Sequence, residues 1–288
     1  MKSLDVWLQA TINGVALGWL YVLMALGLAL ILSIMGILQL AHGEIYMIGA
    51  FLVYYLTRRQ IGLYPAILIS MVVMGAVGVG LERVLFRPRP NRDVVLTSIV
   101  ISTGLTLILT SAAVVGFGLY TKSLPKLAQG SLTIGGAGVP KDRVLAIGFS
   151  VVAVLALYAF LKKTRLGLAM VASAQNREGS FLKGINPNHM SMAAMGIGCA
   201  LAALAGALAG SILQLHPYMG SLPMIYGLVT IVLGGLGSIP GAVVGGLILG
   251  LLNGIVPVMF GSAAAAIAPL VIVIILLLFR PKGIMGHD

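Results

Sequence analysis

Glu44 stands out among the seven acidic residues of this 288-residue chain because it alone lies well inside apolar sequence. A carboxylate within a membrane segment is costly enough to mark a functional candidate. His42 sits two residues earlier, and an imidazole near a carboxylate could relay protons. The flanking sequence supports other roles equally. A break precedes Glu44, and if a helix begins near His42-Gly43 the carboxylate falls in its first turn, where the helix dipole stabilises negative charge. Structural support, lining of a solute path and direct contact with a solute therefore stand beside the proton relay.

Few other side chains could meet a polar solute inside apolar sequence. Gln39, His42, Glu44, Gln214 and Ser238 are the path candidates. Catalytic constellations are missing: no Ser-His-Asp set and no metal-ligand spacing occurs in a polar context, so no catalytic residue, metal or cofactor is expected. Cys199 is a lone cysteine in an apolar segment, read as a small packing residue. The chain has no G-x-x-x-x-G-K-[ST], and Lys122-Ser123 lacks the glycine that would let a backbone cradle phosphate. Any energy from ATP must come from another chain.

The most informative polar stretch is 164–189, with Arg165, Arg177, Glu178, Gly184 and Asn186. At helical spacing Leu166, Met170 and Ala174 share one face, with Gln175 and Glu178 on another. A short amphipathic helix of this kind can lie on lipid or dock into a groove on a partner.

The elements that position these residues follow from composition. Hydrophobic residues make up 59% of the chain and charged residues 9%, with a mean hydropathy of +1.09, whereas soluble domains are roughly 25% charged. Such a chain cannot cover a water-facing surface. It is expected to be an all-α integral membrane protein, one transmembrane domain over 1–288 forming a polytopic bundle of about eight transmembrane helices in a lipid bilayer. Apolar stretches fall near 12–35, 43–57, 62–81, 94–117, 143–161, 190–213, 222–236, 241–258 and 263–279. Nine stretches for about eight crossings imply broken or partial spans near the midplane. The first stretch exceeds the roughly 7–15-residue apolar core of a cleavable signal peptide, and is read as a retained span.

Two gaps, Gln39-Leu40-Ala41-His42-Gly43-Glu44 and Gly234-Gly235-Leu236-Gly237-Ser238-Ile239-Pro240-Gly241, carry no charge-rich loop. Interrupted helices at corresponding places in two halves are how transporters build solute paths, and Ala41-His42-Gly43 and Ile239-Pro240-Gly241 form one such weak correspondence. The 38 glycines include Gly14/Gly18, Gly206/Gly210, Gly241/Gly245 and Gly246/Gly250/Gly254, spacings that let helix backbones approach closely in lipid.

The net charge of +11 does not indicate nucleic acid, since the basic residues sit at the ends of apolar stretches. Eleven of the eighteen lie in 82–93 (Arg83, Arg87, Arg89, Arg92), 162–189 and the tail (Arg280, Lys282). Basic residues are retained in the cytoplasm, so these segments and the C-terminus are expected there. The N-terminus and the loop 118–142, rich in Pro125, Gly135-Gly136 and Pro140, are expected outside.

These blocks together resemble the permease subunits of branched-chain amino acid ABC transporters, specifically the first (H-type) of their two permeases, over nearly the whole chain. The carriers are Leu40-Ala41-His42-Gly43-Glu44-Ile45-Tyr46-Met47-Ile48-Gly49-Ala50-Phe51, Thr164-Arg165-Leu166-Gly167 leading to Arg177-Glu178 and Gly184-Ile185-Asn186, Val232 to Gly241, and the tail Leu278-Phe279-Arg280-Pro281-Lys282-Gly283. ABC permeases carry a cytoplasmic E-A-A-x-x-x-G pattern that seats a coupling helix in the ATPase. Glu178 and Gly184 keep that spacing, while Gly179-Ser180 replace the two alanines. The resemblance implies a second related permease, two ATPase subunits, an external substrate-binding protein docking near 118–142 and His216-Pro217-Tyr218, and a bacterial cytoplasmic (inner) membrane. It leaves open relatives that import urea, short amides or aromatic acids, a proton-coupled carrier using Glu44, and a nontransporting scaffold or channel.

Overall fold

The computed structural model describes residues 2–87, 93–134, 137–235, 237–279 and 283–285. Arg89, Arg92, Gly135, Gly136, Leu236 and the tail residues Arg280, Pro281 and Lys282, all used above, lie outside the described residues.

Each of the nine apolar stretches forms a helical segment. The order is α1 (Lys2–Met35), α2 (His42–Arg58), α3 (Leu63–Leu81), α4 (Val94–Phe117), a hairpin of β1 (Ser131–Ile134) and β2 (Ala137–Pro140), α5 (Lys141–Lys163), α6 (Arg165–Gln175), α7 (Arg177–Leu182), α8 (Pro187–Ile212), α9 (Ser221–Gly234) and α10 (Ile239–Phe279). Six segments among the described residues are long and apolar enough to cross a membrane: Asp5–Met35, Leu63–Phe86, Val94–Phe117, Lys141–Lys163, Pro187–Ile212 and Ile239–Gly261. These six are fewer than the eight or so expected; α2, of 17 residues, and α9, of 14, are shorter. At a rise of 1.5 Å per residue α9 reaches about 21 Å, short of a hydrocarbon layer of about 30 Å. Helix α10 bends at Gly261, whose φ of 82° lies in the left-handed region that favours glycine, and its distal arm is a further apolar segment.

Helices α1 and α8 form the enclosed axis, and α4 is the most peripheral span. Helix α1 makes its most extensive pairing with α10 through a glycine seam. A Cβ on Gly14 would stand 2.8 Å from the Gly250 carbonyl oxygen, and one on Gly18 2.9 Å from that of Gly246, so the seam depends on small residues. The outer faces of α3, α4 and α5 expose Leu68, Val72, Leu107, Ile108, Val152 and Leu155, apolar surface suited to lipid or to another apolar chain. The chain is a multi-pass membrane protein.

The loop 118–142 carries more structure than a loop. Its hairpin pairs Ser131 with Pro140 and Ile134 with Ala137, and it is pinned by Tyr64 donating to the Leu127 carbonyl at 2.8 Å and Gln9 to that of Gly138 at 3.3 Å. Lys122 and Leu215 exchange backbone hydrogen bonds of 2.9 and 2.8 Å, joining this loop to the segment before α9. At the opposite end α3 runs into a π turn, Glu82–Phe86.

Candidate functional site

The first break folds into the centre of the bundle. Gly36 (φ 64°) ends α1, and the chain re-enters as α2 from His42, with Glu44 in the first turn. Gln39 and His42 are fully enclosed and Glu44 nearly so. The His42 ring lies against Gly27, where a Cβ would stand 2.8 Å from Nε2; Gly27 itself abuts the Gly198 carbonyl. Helices α1, α2 and α8 therefore meet around this imidazole, and two glycines leave the room for it.

The second wall comes from Gly220, which the sequence did not single out. The segment 213–220 leaves the Lys122 bridge and runs inward until Gly220 meets Gly43. A Cβ on Gly43 would stand 2.5 Å from the Gly220 carbonyl oxygen, and one on Gly220 would collide with Gly43. The partner of the first break is thus the start of α9 at Ser221. The break 235–238 sits instead at the α6–α7 end, where Ile284 and Met285 donate to the Leu233 and Gly234 carbonyls at 2.8 and 3.1 Å. The expected correspondence between Ala41-His42-Gly43 and Ile239-Pro240-Gly241 is not what brings two helix starts together, because backbone contact selects the pair Gly43 and Gly220.

The enclosed polar groups are poorly satisfied. Thr110 on α4 lies near the Glu44 carboxylate, whose Oε2 has no partner. Gln39 faces the Cys199 thiol, yet neither amide atom meets hydrogen-bond geometry, nor does either ring nitrogen of His42. An unsatisfied buried polar group costs about 1–3 kcal/mol. These atoms can serve a polar guest. No hydrogen bond among the described residues joins His42 to Glu44, so the pair lacks the contact that a direct proton relay would use.

Gln214 and Ser238 lie elsewhere. Gln214 lines a cavity of about 390 Å³ at the hairpin end with His216, Tyr218 and three tyrosines from separate helices, Tyr21, Tyr46 and Tyr226. Ser238 lines one of about 540 Å³ at the α6–α7 end with Ser33, Met170 and Gln175. Both run along α1, and the fully buried residues Val22 to Ala25 separate the α1 stretches that line them. The five path candidates therefore occupy three levels, one in each cavity and three in the sealed centre.

The polar stretch 164–189 is two helices, because Asn176 interrupts it. The Thr164 hydroxyl accepts from Gly167 N at 3.0 Å and caps α6; Asn176 Oδ1 accepts from Gly179 N at 2.8 Å and caps α7; Asn186 Oδ1 accepts from Asn188 N at 2.9 Å and caps α8. Each satisfies a first-turn donor that the helix itself cannot. The expected α6 face is corrected by rotation: Gly167, Met170 and Ser173 are buried, while Leu166 and Ala174 are exposed. Gly167 sets this, since a Cβ there would run into the Phe160 carbonyl. Likewise Gln175 and Glu178 stand on different helices, not on one face.

Arg165, Arg177, Glu178, Gly184 and Asn186 are all exposed. Arg177, Gly184 and Asn186 line a groove of about 460 Å³ with Phe181 and Ile185, and Glu178 stands beside it in the first turn of α7. Gly184, with φ 84°, turns the chain from α7 towards α8. Arg165 lies apart, at the start of α6. The sequence reading missed Phe181 and Leu182, 63% and 85% exposed; two large apolar residues inside a charged stretch were the available signal. It also missed Glu82, which is buried like Glu44 and Asp142 and is held by Arg87 at 2.9 Å. Their five-residue spacing fits no ordinary helical pair; the π turn brings them together.

Comparison with known proteins agrees with this arrangement. The family described as branched-chain amino acid transport system / permease component matches residues 10–279. The chain is 32% identical to the high-affinity branched-chain amino acid transport system permease protein BraD of Pseudomonas aeruginosa, over 100% of this chain and 98% of the relative. It is 31% identical to LivH of Escherichia coli, over 98% and 96%, and 27% identical to a probable LivH of Methanocaldococcus jannaschii, over 93% and 89%. A chain of the solved structure of PsaBC from Streptococcus pneumoniae in complex with Fab shares the fold, with a TM-score of 0.53 and 13% identity over 93% of this chain and 90% of that one. A polytopic bundle with interrupted helices, a capped two-helix stretch between two spans, and end-to-end similarity to these permeases place the chain in the branched-chain amino acid transport permease family.

Proposed function

We propose that this chain is the H-type permease subunit of an ATP-binding cassette importer, forming half of the path by which leucine, isoleucine and valine enter a bacterial cell. End-to-end similarity to permeases named for those solutes carries the reading. The chain contributes no nucleotide site; two ATPase subunits supply the energy, a second related permease completes the path, and an external binding protein delivers the solute. The N-terminus and the hairpin face outward and the C-terminus and α6–α7 face the cytoplasm, in the bacterial inner membrane.

The exposed α7 with its apolar Phe181 and Leu182 supports this orientation, because a short helix that offers large apolar side chains beside a groove suits docking on another protein. Binding of ATP closes the ATPase pair, moves α7, and shifts the membrane helices between two packings, an equilibrium biased by a ligand on a partner chain. The sealed centre between two cavities is what alternating access requires: each cavity opens to one side, and Gln39, His42 and Glu44 lie between. The binding protein docks on the hairpin loop and His216-Pro217-Tyr218, which the Lys122–Leu215 bridge holds side by side.

The test is the double variant Glu178→Lys with Gly184→Trp in the complete importer. We expect it to insert normally and to lose substrate-stimulated ATP hydrolysis. Unchanged stimulation would remove α7 from the coupling role.

A further inference from the structure

A second cavity at the hairpin end, about 410 Å³, opens where the start of α1, the start of α5, the end of α8 and α10 before Gly261 converge. Its size lies within the roughly 300–1,000 Å³ of small-ligand pockets. Gln9, Asn13, Arg143 and Asn253 provide its polar lining, and Ile212 and Pro257 belong to its apolar wall. No acidic residue lines it. Two of the polar groups are donors without a use in the fold. The Arg143 guanidinium is half-buried and makes no ion pair or side-chain hydrogen bond among the described residues; Asp142 next to it acts on it only at longer range and accepts instead from the Arg143 backbone N–H at 2.9 Å. The Asn253 Nδ2 is buried with no partner.

The positions are fixed by backbone. Asn13 and Asn253 both line the cavity and neighbour, in sequence, the end of the α1–α10 glycine seam, where a Cβ on Gly254 would meet Gly14 Cα at 2.7 Å. A guanidinium fork beside an amide donor matches a planar carboxylate, and the apolar wall leaves room for an aliphatic group.

Resting on the transport reading above, we infer that this cavity is a carboxylate-accepting entry site for the amino acid, with Arg143 and Asn253 donating to its α-carboxylate and Ile212 and Pro257 receiving its side chain. It shares Leu17 and Leu213 with the cavity that contains Gln214, so a solute released here moves directly on towards the centre. The carboxylate is what the site selects.

The experiment titrates the full chain in lipid nanodiscs with leucine labelled with carbon-13 at the carboxyl, read by nuclear magnetic resonance line broadening, with leucinamide as competitor. Wild type should bind saturably and leucinamide, lacking the anion, should not displace it. Arg143→Gln should weaken binding about ten- to hundredfold, as expected for loss of a hydrogen bond to a charged group, with Asn253→Leu weaker in effect and Arg143→Lys intermediate. Equal affinity in wild type and Arg143→Gln, or displacement by leucinamide, would overturn the site. So would unchanged leucine binding in Arg143→Gln accompanied by loss of co-purifying phospholipid, which would make Arg143 a lipid-phosphate anchor. Uptake by the complete wild-type importer separates the two levels: leucine uptake without this binding refutes the site alone, and absence of leucine uptake refutes the transport reading.

Discussion

The centre of the bundle and the α6–α7 end break opposite rules. Around His42 polar groups are buried without partners, whereas at α7 apolar side chains are exposed without cover. A folded chain avoids both, because an unsatisfied buried donor and a solvated leucine each cost free energy. Their construction differs accordingly. The centre is fixed by backbone contacts at Gly27, Gly43, Gly198 and Gly220, which leave no slack; the α6–α7 end is fixed by three side-chain caps on Thr164, Asn176 and Asn186, each replaceable at modest cost. In the proposed importer, the region assigned to the solute is the one built rigid, and the region assigned to the moving partner is the one built as short capped pieces.

Substitutions that fill the centre should act on folding. Gly220→Leu or Gly43→Leu places a side chain where only backbone fits, and overpacking of this kind costs about 3 kcal/mol or more. Detergent-solubilised protein should melt well below wild type, and an unchanged melting temperature would mean that α2 and α9 do not meet there. At the other region Phe181→Asp with Leu182→Asp should leave the melting temperature within about the ±0.5 kcal/mol of an ordinary surface change. The same change should remove co-purification of the ATPase, as expected for loss of interface anchors worth about 2 kcal/mol or more each. Loss of folding instead would make these residues part of the core.

Within the centre, Glu44→Gln should retain more uptake than Glu44→Lys, since a buried amide needs only hydrogen bonds while an unpaired cation costs about 2.5–3.5 kcal/mol at midspan. Equal activity of the two would show that Glu44 meets bulk water. The smallest effect is expected for Gly179→Ala. Its Cβ would come to 3.1 Å from Asn176 Cγ, crowding the cap, while alanine favours helix by about 1 kcal/mol; the net change in melting should be near zero and coupling should persist.

The contrast also decides what could be read from sequence. Helical segments were legible because apolar runs of sufficient length leave little alternative in lipid, and the stretch proposed for coupling could be picked out because Glu178 and Gly184 are close in sequence. The caps at Thr164, Asn176 and Asn186 and the split at Asn176 were not read from the sequence, and the rotation of α6 about Gly167 depends on a contact with Phe160. What lay beyond reading was everything set by distant backbone approach. Glycines at 43 and 220 are 177 positions apart, and nothing local marks them as partners. Path candidates chosen for polarity alone consequently spread over three levels, and nothing in the sequence showed that a π turn would pair Glu82 with Arg87.

The most direct test of the account is uptake of radiolabelled leucine by proteoliposomes containing the complete importer, measured with and without ATP and with an uncoupler. The account predicts uptake that requires ATP and the binding protein and is unaffected by the uncoupler. Uptake by this chain without the ATPase, abolished by the uncoupler, would contradict it and return Glu44 to the role of a proton carrier.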